Sequence, residues 1–123
     1  MFYINDRGRQ MDLFGLSVQA AAQGLPTPED GYHGEYIQDL AKIVVAQNPA
    51  ISSAEDFREA AYKVQLMQQQ GVLDTFRTHF DIWFSERSLH ESGAVSHGLD
   101  KLREQGHVFE QEGAVWLRTT DFD

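Results

Sequence analysis

Two short groups of polar side chains follow apolar runs in the sequence and could contact a ligand. The first follows Phe2-Tyr3-Ile4 and comprises Asn5, Asp6, Gly8 and Gln10; the second follows Phe84 and comprises Ser85 and Glu86. If Phe2-Tyr3-Ile4 is the end of a strand, the first group lies at a carboxyl end, where doubly wound folds bind ligands. Both groups also have a structural interpretation. The first could be a turn that caps a helix, and Glu86 could be a solvated residue at a strand end.

Metal and hydrolase chemistry are poorly supported by the same sequence. His90-Glu91-Ser92-Gly93-Ala94 begins like a zinc-protease motif, but Ala94 stands where the second histidine is required. Cysteine is absent, which removes thiolate ligands. A Ser-His-Asp set is a weak alternative, because no Gly-x-Ser-x-Gly elbow occurs. We therefore predict no catalytic residue and no metal ligand in this chain.

Composition predicts one soluble domain that does not bind nucleic acid strongly by itself. The chain has 123 residues, of which 41% are hydrophobic and 24% charged, and its formal net charge is -9. Its ten basic residues are scattered, whereas a surface that neutralises phosphates should be basic somewhere. No run is long enough to cross a membrane and no secretory signal is visible, so we expect no membrane partner and a cytoplasmic location.

The first part of the sequence predicts a strand end, a helix and a loop. Met11, Phe14 and Val18 recur at helical spacing, and Gly24 suits the end of that helix. The next ten residues contain two prolines and two glycines, which favour a loop. We therefore expect a strand end and helix over 1–24 and a Pro/Gly loop over 25–34.

Residues 35–79 predict a helical part with two helices. The first should run from Glu35 or Tyr36 to about Gln47, and Pro49 should follow its end. The second should begin at Ser52 or Ser53, each of which has an acidic residue three positions later, as in a capping box. Its apolar stripe comprises Phe57, Ala61, Val64 and Met67, and resumes at Leu73, Phe76 and Phe80 after a weakening glycine, Gly71.

Residues 80–123 predict a β-α-β-β part. Phe80, Ile82 and Phe84 alternate with polar or aromatic residues at strand period. A helix with Val95, Leu99 and Leu102 on one face should end at Gly106. A β-hairpin should then pair 107–110 with 114–118 around Gln111-Glu112-Gly113. The fold class is therefore α+β, with three helices followed by a strand, a helix and a β-hairpin.

The aromatic residues of the last part have two interpretations. They could stack nucleobases, but side chains of this kind more often form the core between helix and sheet, which we favour. The set comprises Phe80, Trp83, Phe84, Phe109 and Trp116. Tyr32 and His33 lie in a loop too short to cradle a phosphate, so we expect them to fix that loop against the next helix.

Four stretches, in this order, resemble one family. Tyr3-Ile4-Asn5-Asp6-Arg7-Gly8-Arg9-Gln10 is similar to its Tyr-x-Asn-Asp-x-Gly-x-Gln segment, and Gly31-Tyr32-His33-Gly34-Glu35-Tyr36 to its Gly-Tyr-x-Gly-x-Tyr loop. Phe80-Asp81-Ile82-Trp83-Phe84-Ser85-Glu86 is similar to its Phe-Asp-x-Trp-x-Ser-Glu strand, and the run from Glu110 to Thr120 to its hairpin. The family is arginyl-tRNA synthetase of bacterial type. Each motif is weak alone, but their order and spacing are specific.

The resemblance implies an internal fragment, inserted in a Rossmann-type class I synthetase catalytic domain between its two ATP-binding signatures. Neither the His-Ile-Gly-His-like nor the Lys-Met-Ser-Lys-Ser-like signature occurs in the sequence. The fragment alone should therefore need no cofactor and be inactive, whereas the parent uses ATP and Mg. The resemblance places Asn5, Asp6, Gly8 and Gln10 near the active-site rim. It places Ser85 and Glu86 at the 3′-terminal adenosine of tRNA, where a carboxylate could accept hydrogen bonds from ribose hydroxyls.

Two function hypotheses follow. In the first, the chain is a single inserted domain of arginine-tRNA ligase that packs on the parent's catalytic core and helps place the acceptor end of tRNA(Arg). Its partners would be that core and, through the full-length enzyme, tRNA(Arg), ATP and arginine. In the alternative, it is a small acidic protein-interaction module with no catalytic role. Cutting such a segment from its scaffold should expose apolar surface and favour self-association.

Overall fold

The computed structural model describes residues 1–122, which form an α+β arrangement of five α-helices and two small sheets. In chain order the elements are β1 (Phe2–Ile4), α1 (Arg9–Gln23), α2 (Glu35–Gln47), α3 (Ala54–Thr75), β2 (Trp83–Ser85), α4 (Glu86–Glu91), α5 (Ala94–Glu104), β3 (Val108–Gln111) and β4 (Ala114–Leu117), with a short 3₁₀ turn at Thr119–Asp121. No helix among these residues combines the length and the apolarity needed to span a membrane.

The residues divide into two compact units. The helical unit comprises Met1–Phe2 and Asp6–Trp83, and the hairpin unit comprises Tyr3–Asn5 and the described residues from Phe84 onward. Strand β1 pairs with β2 in a two-stranded sheet, in which Phe2 N donates to Ile82 O over 2.8 Å.

The helical unit is built around a core shared by α1, α2 and α3. The predicted stripes meet there, because residues spaced three and four apart lie on one helix face. The buried side chains of this core are Phe14, Val18, Ile37, Leu40, Ala41, Val44, Phe57, Ala61 and Val64. Full burial of an apolar side chain of the size of Phe57 contributes about 1.5–3 kcal/mol. Helix α1 begins at Arg9, within the first family motif, and α2 begins at Glu35, within the second.

Close packing of α1 on α3 depends on Gly15. A Cβ atom at this position would stand 2.6 Å from Arg58 Cβ and 2.8 Å from Ala54 O. Arg58 then reaches back to α1, where its Nη1 lies 2.7 Å from Asp12 Oδ1. This hydrogen bond raises the pKa of Arg58 against the opposing effect of burial, with further support from Glu59.

The start of α3 confirms one of the two predicted caps. Ser53 is the N-cap, and its Oγ accepts a hydrogen bond of 3.1 Å from Asp56 N. The helix continues through Gly71 to Thr75. The apolar stripe is buried only in its first half, since Met67 is 60% exposed and Phe76 is 78% exposed.

The hairpin unit differs from the prediction at its helix. The helix expected before Gly106 is α5, but a short helix that was not predicted, α4, precedes it. Gly93 lies between the two and adopts a left-handed backbone with φ of 74°. Strand β2 is also shorter and later than expected, since it begins at Trp83 and not at Phe80. The hairpin is confirmed, with Phe109 opposite Trp116.

The hairpin turn has two residues and not the three that were expected. Glu112 and Gly113 both have positive φ, 54° and 74°, and lie between the paired residues Gln111 and Ala114. Two left-handed residues define a type I′ turn, whose twist matches that of the strands.

Candidate active-site rim and acceptor-end site

Asp6, in the turn after β1, is buried. Only 3% of its surface is exposed, and its Oδ2 accepts a hydrogen bond of 3.0 Å from the Tyr62 hydroxyl on α3. A buried carboxylate needs such donors, because an unpaired charge in the interior costs several kcal/mol. Asp6 therefore fixes the turn to α3. Asn5, the residue before it, is exposed.

The residue at the N-cap of α1 is neither Asn5 nor Asp6. The N-cap of α1 is Gly8, with φ of 88° and no side-chain cap. Its carbonyl accepts from Met11 N over 3.0 Å and from Asp12 N over 3.3 Å. A glycine is suited to this position because a side chain would strain a backbone with positive φ.

Gln10, at the start of α1, is held by the loop that carries the second family motif. The Tyr32 hydroxyl donates to Gln10 Oε1 over 2.9 Å, and Tyr32 N donates to Ser17 Oγ over 2.9 Å. The neighbouring Arg9 lies 3.0 Å from Asp30 in an exposed ion pair. These contacts bring the Tyr-x-Asn-Asp-x-Gly-x-Gln segment and the Gly-Tyr-x-Gly-x-Tyr loop together.

The loop is therefore fixed against α1, and Tyr32 also packs against the core that α1 shares with the next helix, α2. The Tyr32 ring meets Phe14 of α1 edge to face at 5.9 Å, and His33 Nε2 lies 3.2 Å from Glu29 O within the loop itself. Tyr36, at the start of α2, is close enough to Tyr32 to be affected electrostatically. Burial, and then this neighbour, raises the pKa of Tyr36.

Ser85 and Glu86 lie where β2 passes directly into α4. Ser85 is the last residue of the strand and the N-cap of the helix, and its carbonyl accepts from Ser88 Oγ over 2.6 Å. The Glu86 side chain is 28% exposed, and its Oε1 lies 3.9 Å from His90 Nε2 one turn later. A carboxylate has about four acceptor positions, so this contact leaves Glu86 able to accept bonds from a ligand.

The aromatic residues of the hairpin do not form a helix–sheet core, so this interpretation was wrong for them. Trp116 is 51% exposed and Phe109 is 36% exposed. They stand on one face of the hairpin, with the Arg118 guanidinium 5.9 Å from the Phe109 ring centroid. The residues near β2 do pack, since Trp83 lies 4.6 Å from Phe2 and 5.9 Å from Phe80 between ring centroids.

The six predicted site residues do not all share one unit. Asp6, Gly8 and Gln10 belong to the helical unit, whereas Asn5, Ser85 and Glu86 belong to the hairpin unit. Tyr62, which donates to Asp6, is not among the residues predicted from the sequence. Its position one residue after Ala61 of the apolar stripe was the only available signal.

The sequence is similar to those of known arginine–tRNA ligases. The chain is 52% identical over 127 residues to the arginine–tRNA ligase of Renibacterium salmoninarum and 44% identical to that of Micrococcus luteus. Each alignment covers 98% of this chain but 23% of the relative. The chain thus spans less than a quarter of the length of these relatives. No family model matches the chain.

The fold comparison agrees with the sequence comparison. A crystal structure from Campylobacter jejuni, provisionally assigned as an arginyl-tRNA synthetase, superposes with a TM-score of 0.79 and 31% identity. The superposition covers 97% of this chain and 28% of that one. By sequence and by fold, the chain is therefore similar to one segment of arginine–tRNA ligases, and that segment is about a quarter of their length.

Proposed function

We propose that this chain is the segment of an arginine–tRNA ligase that packs on the catalytic core and helps place the acceptor end of tRNA(Arg). The whole enzyme would attach arginine to tRNA(Arg) at the expense of ATP. The observation that carries the proposal is the 52% identity to such a ligase over 98% of the chain. The alternative, a small acidic protein-interaction module, has no comparable support from the relatives.

Glu86 is the residue that we propose to contact the tRNA. Its partly exposed carboxylate stands at the junction of β2 and α4, where both neighbouring elements fix its backbone. A fixed acceptor can orient the terminal ribose through its hydroxyls, and correct orientation of reactants lowers a barrier by several kcal/mol. Ser85 would assist as the preceding residue. In this scheme Glu86 is a positioning residue.

We further propose that Asn5, Gly8 and Gln10 belong to the rim of the active site in the full-length enzyme. Asp6 would support the rim without contacting a ligand, because its buried carboxylate accepts a hydrogen bond from Tyr62 and so fixes the turn. Tyr32 would hold the Gln10 side chain in place through the 2.9 Å hydrogen bond from its hydroxyl. The insertion of this segment in a Rossmann-type catalytic domain belongs to the same proposal.

ATP and Mg²⁺ would be bound elsewhere in the enzyme. Among residues 1–122, no three His, Asp or Glu side chains lie close enough together to hold a metal ion. The sequence also contains neither ATP-binding signature. We therefore assign no part of the ATP chemistry to these residues, and we expect the isolated chain to be inactive. A cytoplasmic location and self-association of the isolated chain stay predictions.

The proposal is tested by a hybrid enzyme, in which this chain replaces the matched segment of the Renibacterium salmoninarum arginine–tRNA ligase. We expect the hybrid to arginylate tRNA(Arg) with a kcat/KM within about tenfold of the parent. A parent with the segment deleted serves as the negative control. A hybrid that melts as cooperatively as the parent but does not arginylate would contradict the proposal.

The inactivity of the isolated chain is tested separately. With tRNA(Arg), arginine, ATP and Mg²⁺ present, we expect no arginine-dependent pyrophosphate exchange above that of an identical preparation without the chain. Exchange that follows the chain through purification would show that these residues hold the adenylate-forming machinery.

A further inference from the structure

The outer edge of β4 has unpaired backbone groups. Residues of an antiparallel pair alternate between bonded pairs and non-bonded pairs, whose N–H and C=O groups point away from the partner strand. Arg118 N donates to His107 O over 2.8 Å, so the bonded pairs continue with Phe109–Trp116 and Gln111–Ala114. The backbone groups of Val115 and Leu117 therefore face outward, and no backbone hydrogen bond reaches them within residues 1–122.

This edge also lacks the features that protect strand edges in monomeric proteins. Such edges usually carry a charged residue, a proline or a bulge, or are covered by another element. Strand β4 reads Ala114-Val115-Trp116-Leu117, without charge or proline, and all four residues are exposed. The other edge differs, because β3 carries Glu110 and is contacted by α5.

We propose that the free edge of β4 accepts an extended segment of the ligase polypeptide outside the matched region as a third strand of this sheet. The inference rests on the proposed function, since it takes the occupant from the same enzyme. Strand addition would supply hydrogen bonds to Val115 and Leu117 and cover their side chains, which are 43% and 45% exposed. A two-stranded hairpin is only marginally stable alone, so a third strand would also stabilise it.

The negative charge of this chain and the length of its relatives outside the matched segment favour this occupant over RNA and over a second copy. The chain carries a net charge of -9, with Glu112 in the turn beside β4 and Glu110 on β3, so a polyphosphate strand would be repelled. A second copy would bring the same acidic residues to the edge. The relatives have most of their length outside the matched segment. We expect an occupant with alternating apolar residues and at least one Lys or Arg.

The experiment uses the isotope-labelled 123-residue chain and synthetic overlapping peptides. The peptides cover the part of the Renibacterium salmoninarum arginine–tRNA ligase outside the matched segment. Amide hydrogen exchange is followed by NMR for each peptide. We expect at least one peptide to slow exchange at Val115 and Leu117 by about tenfold or more, while Val108 and Glu110 exchange as before.

Two matched variants identify backbone pairing as the cause. Val115→Pro removes the outward N–H at an edge where proline is tolerated, whereas Val115→Thr keeps the N–H and the branched shape. We expect Val115→Pro to weaken peptide binding about fivefold to tenfold relative to Val115→Thr, which corresponds to one lost hydrogen bond. Retained NMR contacts between Phe109 and Trp116 show that the hairpin is still folded in both variants.

The inference is overturned if no peptide protects the edge, or if the two variants bind a protecting peptide equally. It is also overturned if the edge is protected in the free chain in proportion to chain concentration, because the occupant is then a second copy. Protection by single-stranded RNA and by no peptide would count against it as well. An active hybrid enzyme with an edge that binds no peptide removes this inference alone, whereas an inactive hybrid removes the proposed function.

Discussion

The Tyr62 hydroxyl donates to the buried Oδ2 of Asp6 over 3.0 Å, across 56 positions of sequence. This bond joins the turn after β1 to the middle of α3, so that a residue of the first family motif is held by the helical core. Asp6 therefore supports the turn from inside, while Asn5, Gly8 and Gln10 remain exposed.

Removal of this donor should destabilise the helical unit. Tyr62→Phe keeps the ring but removes one hydrogen-bond donor from a buried carboxylate, and we expect a loss of about 1–3 kcal/mol in the free energy of unfolding. Urea unfolding followed by circular dichroism measures this loss. Tyr36→Phe, at a tyrosine that is 45% exposed, is the control and should change stability by less than about 0.5 kcal/mol. Equal losses in the two variants would show that the Asp6 contact contributes nothing.

Two glycine-to-alanine substitutions should have opposite effects. Gly15→Ala places a methyl group 2.6 Å from Arg58 Cβ and should destabilise the packing of α1 on α3 by about 1–3 kcal/mol. Gly71→Ala, in open space on α3, should instead stabilise the chain by up to about 1 kcal/mol. Thermal melting of both variants tests the pair. Stabilisation by Gly15→Ala would contradict the close approach of the two helices.

The two serines before α3 should differ, although the sequence pattern fits both as caps. Ser53→Ala should cost about 1 kcal/mol, because the Ser53 hydroxyl accepts from Asp56 N. Ser52→Ala should have little effect, since Ser52 contributes only its carbonyl, which accepts from Gln19. Chemical denaturation of the two variants decides between them. A larger loss for Ser52→Ala would place the helix start one residue earlier.

The hairpin turn should become more stable when Glu112 is replaced by asparagine. Glu112 has a φ of 54°, which asparagine adopts more readily, and Asn-Gly is the preferred type I′ pair. Glu112→Asn should therefore slow amide exchange at Trp116, with a local gain of about 0.5–1 kcal/mol. Glu110→Asn, in an extended strand position, should accelerate it, because asparagine is disfavoured in strands. Identical responses would argue against the left-handed turn.

The helical unit was predictable from sequence because its pattern is local and complete. The apolar spacing in α1 and α2 and the glycine stop at Gly24 all correspond to the structure, since buried residues there face a core within the same chain. The hairpin was predictable from its turn, because Glu112-Gly113 separates two runs of strand-forming residues.

The remaining features depend on tertiary context that local patterns do not contain. The short helix α4 was not predicted, and the left-handed glycine between it and α5, Gly93, resembles any helical glycine in sequence. Tyr62 and Tyr32 were not expected to hold Asp6 and Gln10, because these bonds join distant positions. The exposure of Trp116 was missed because an apolar strand residue was assumed to face a core within these 123 residues.

The most direct test of the central claim is the KM for tRNA(Arg) of the hybrid enzyme carrying Glu86→Gln. Loss of the charge should raise this KM or lower kcat/KM for tRNA by about tenfold, while the KM for ATP is unchanged. Glu91→Gln, at an exposed residue of the same helix α4, is the matched control and should leave both constants as they are. If Glu86→Gln behaves like Glu91→Gln, Glu86 does not position the acceptor end, and the account of how this segment serves the ligase is wrong.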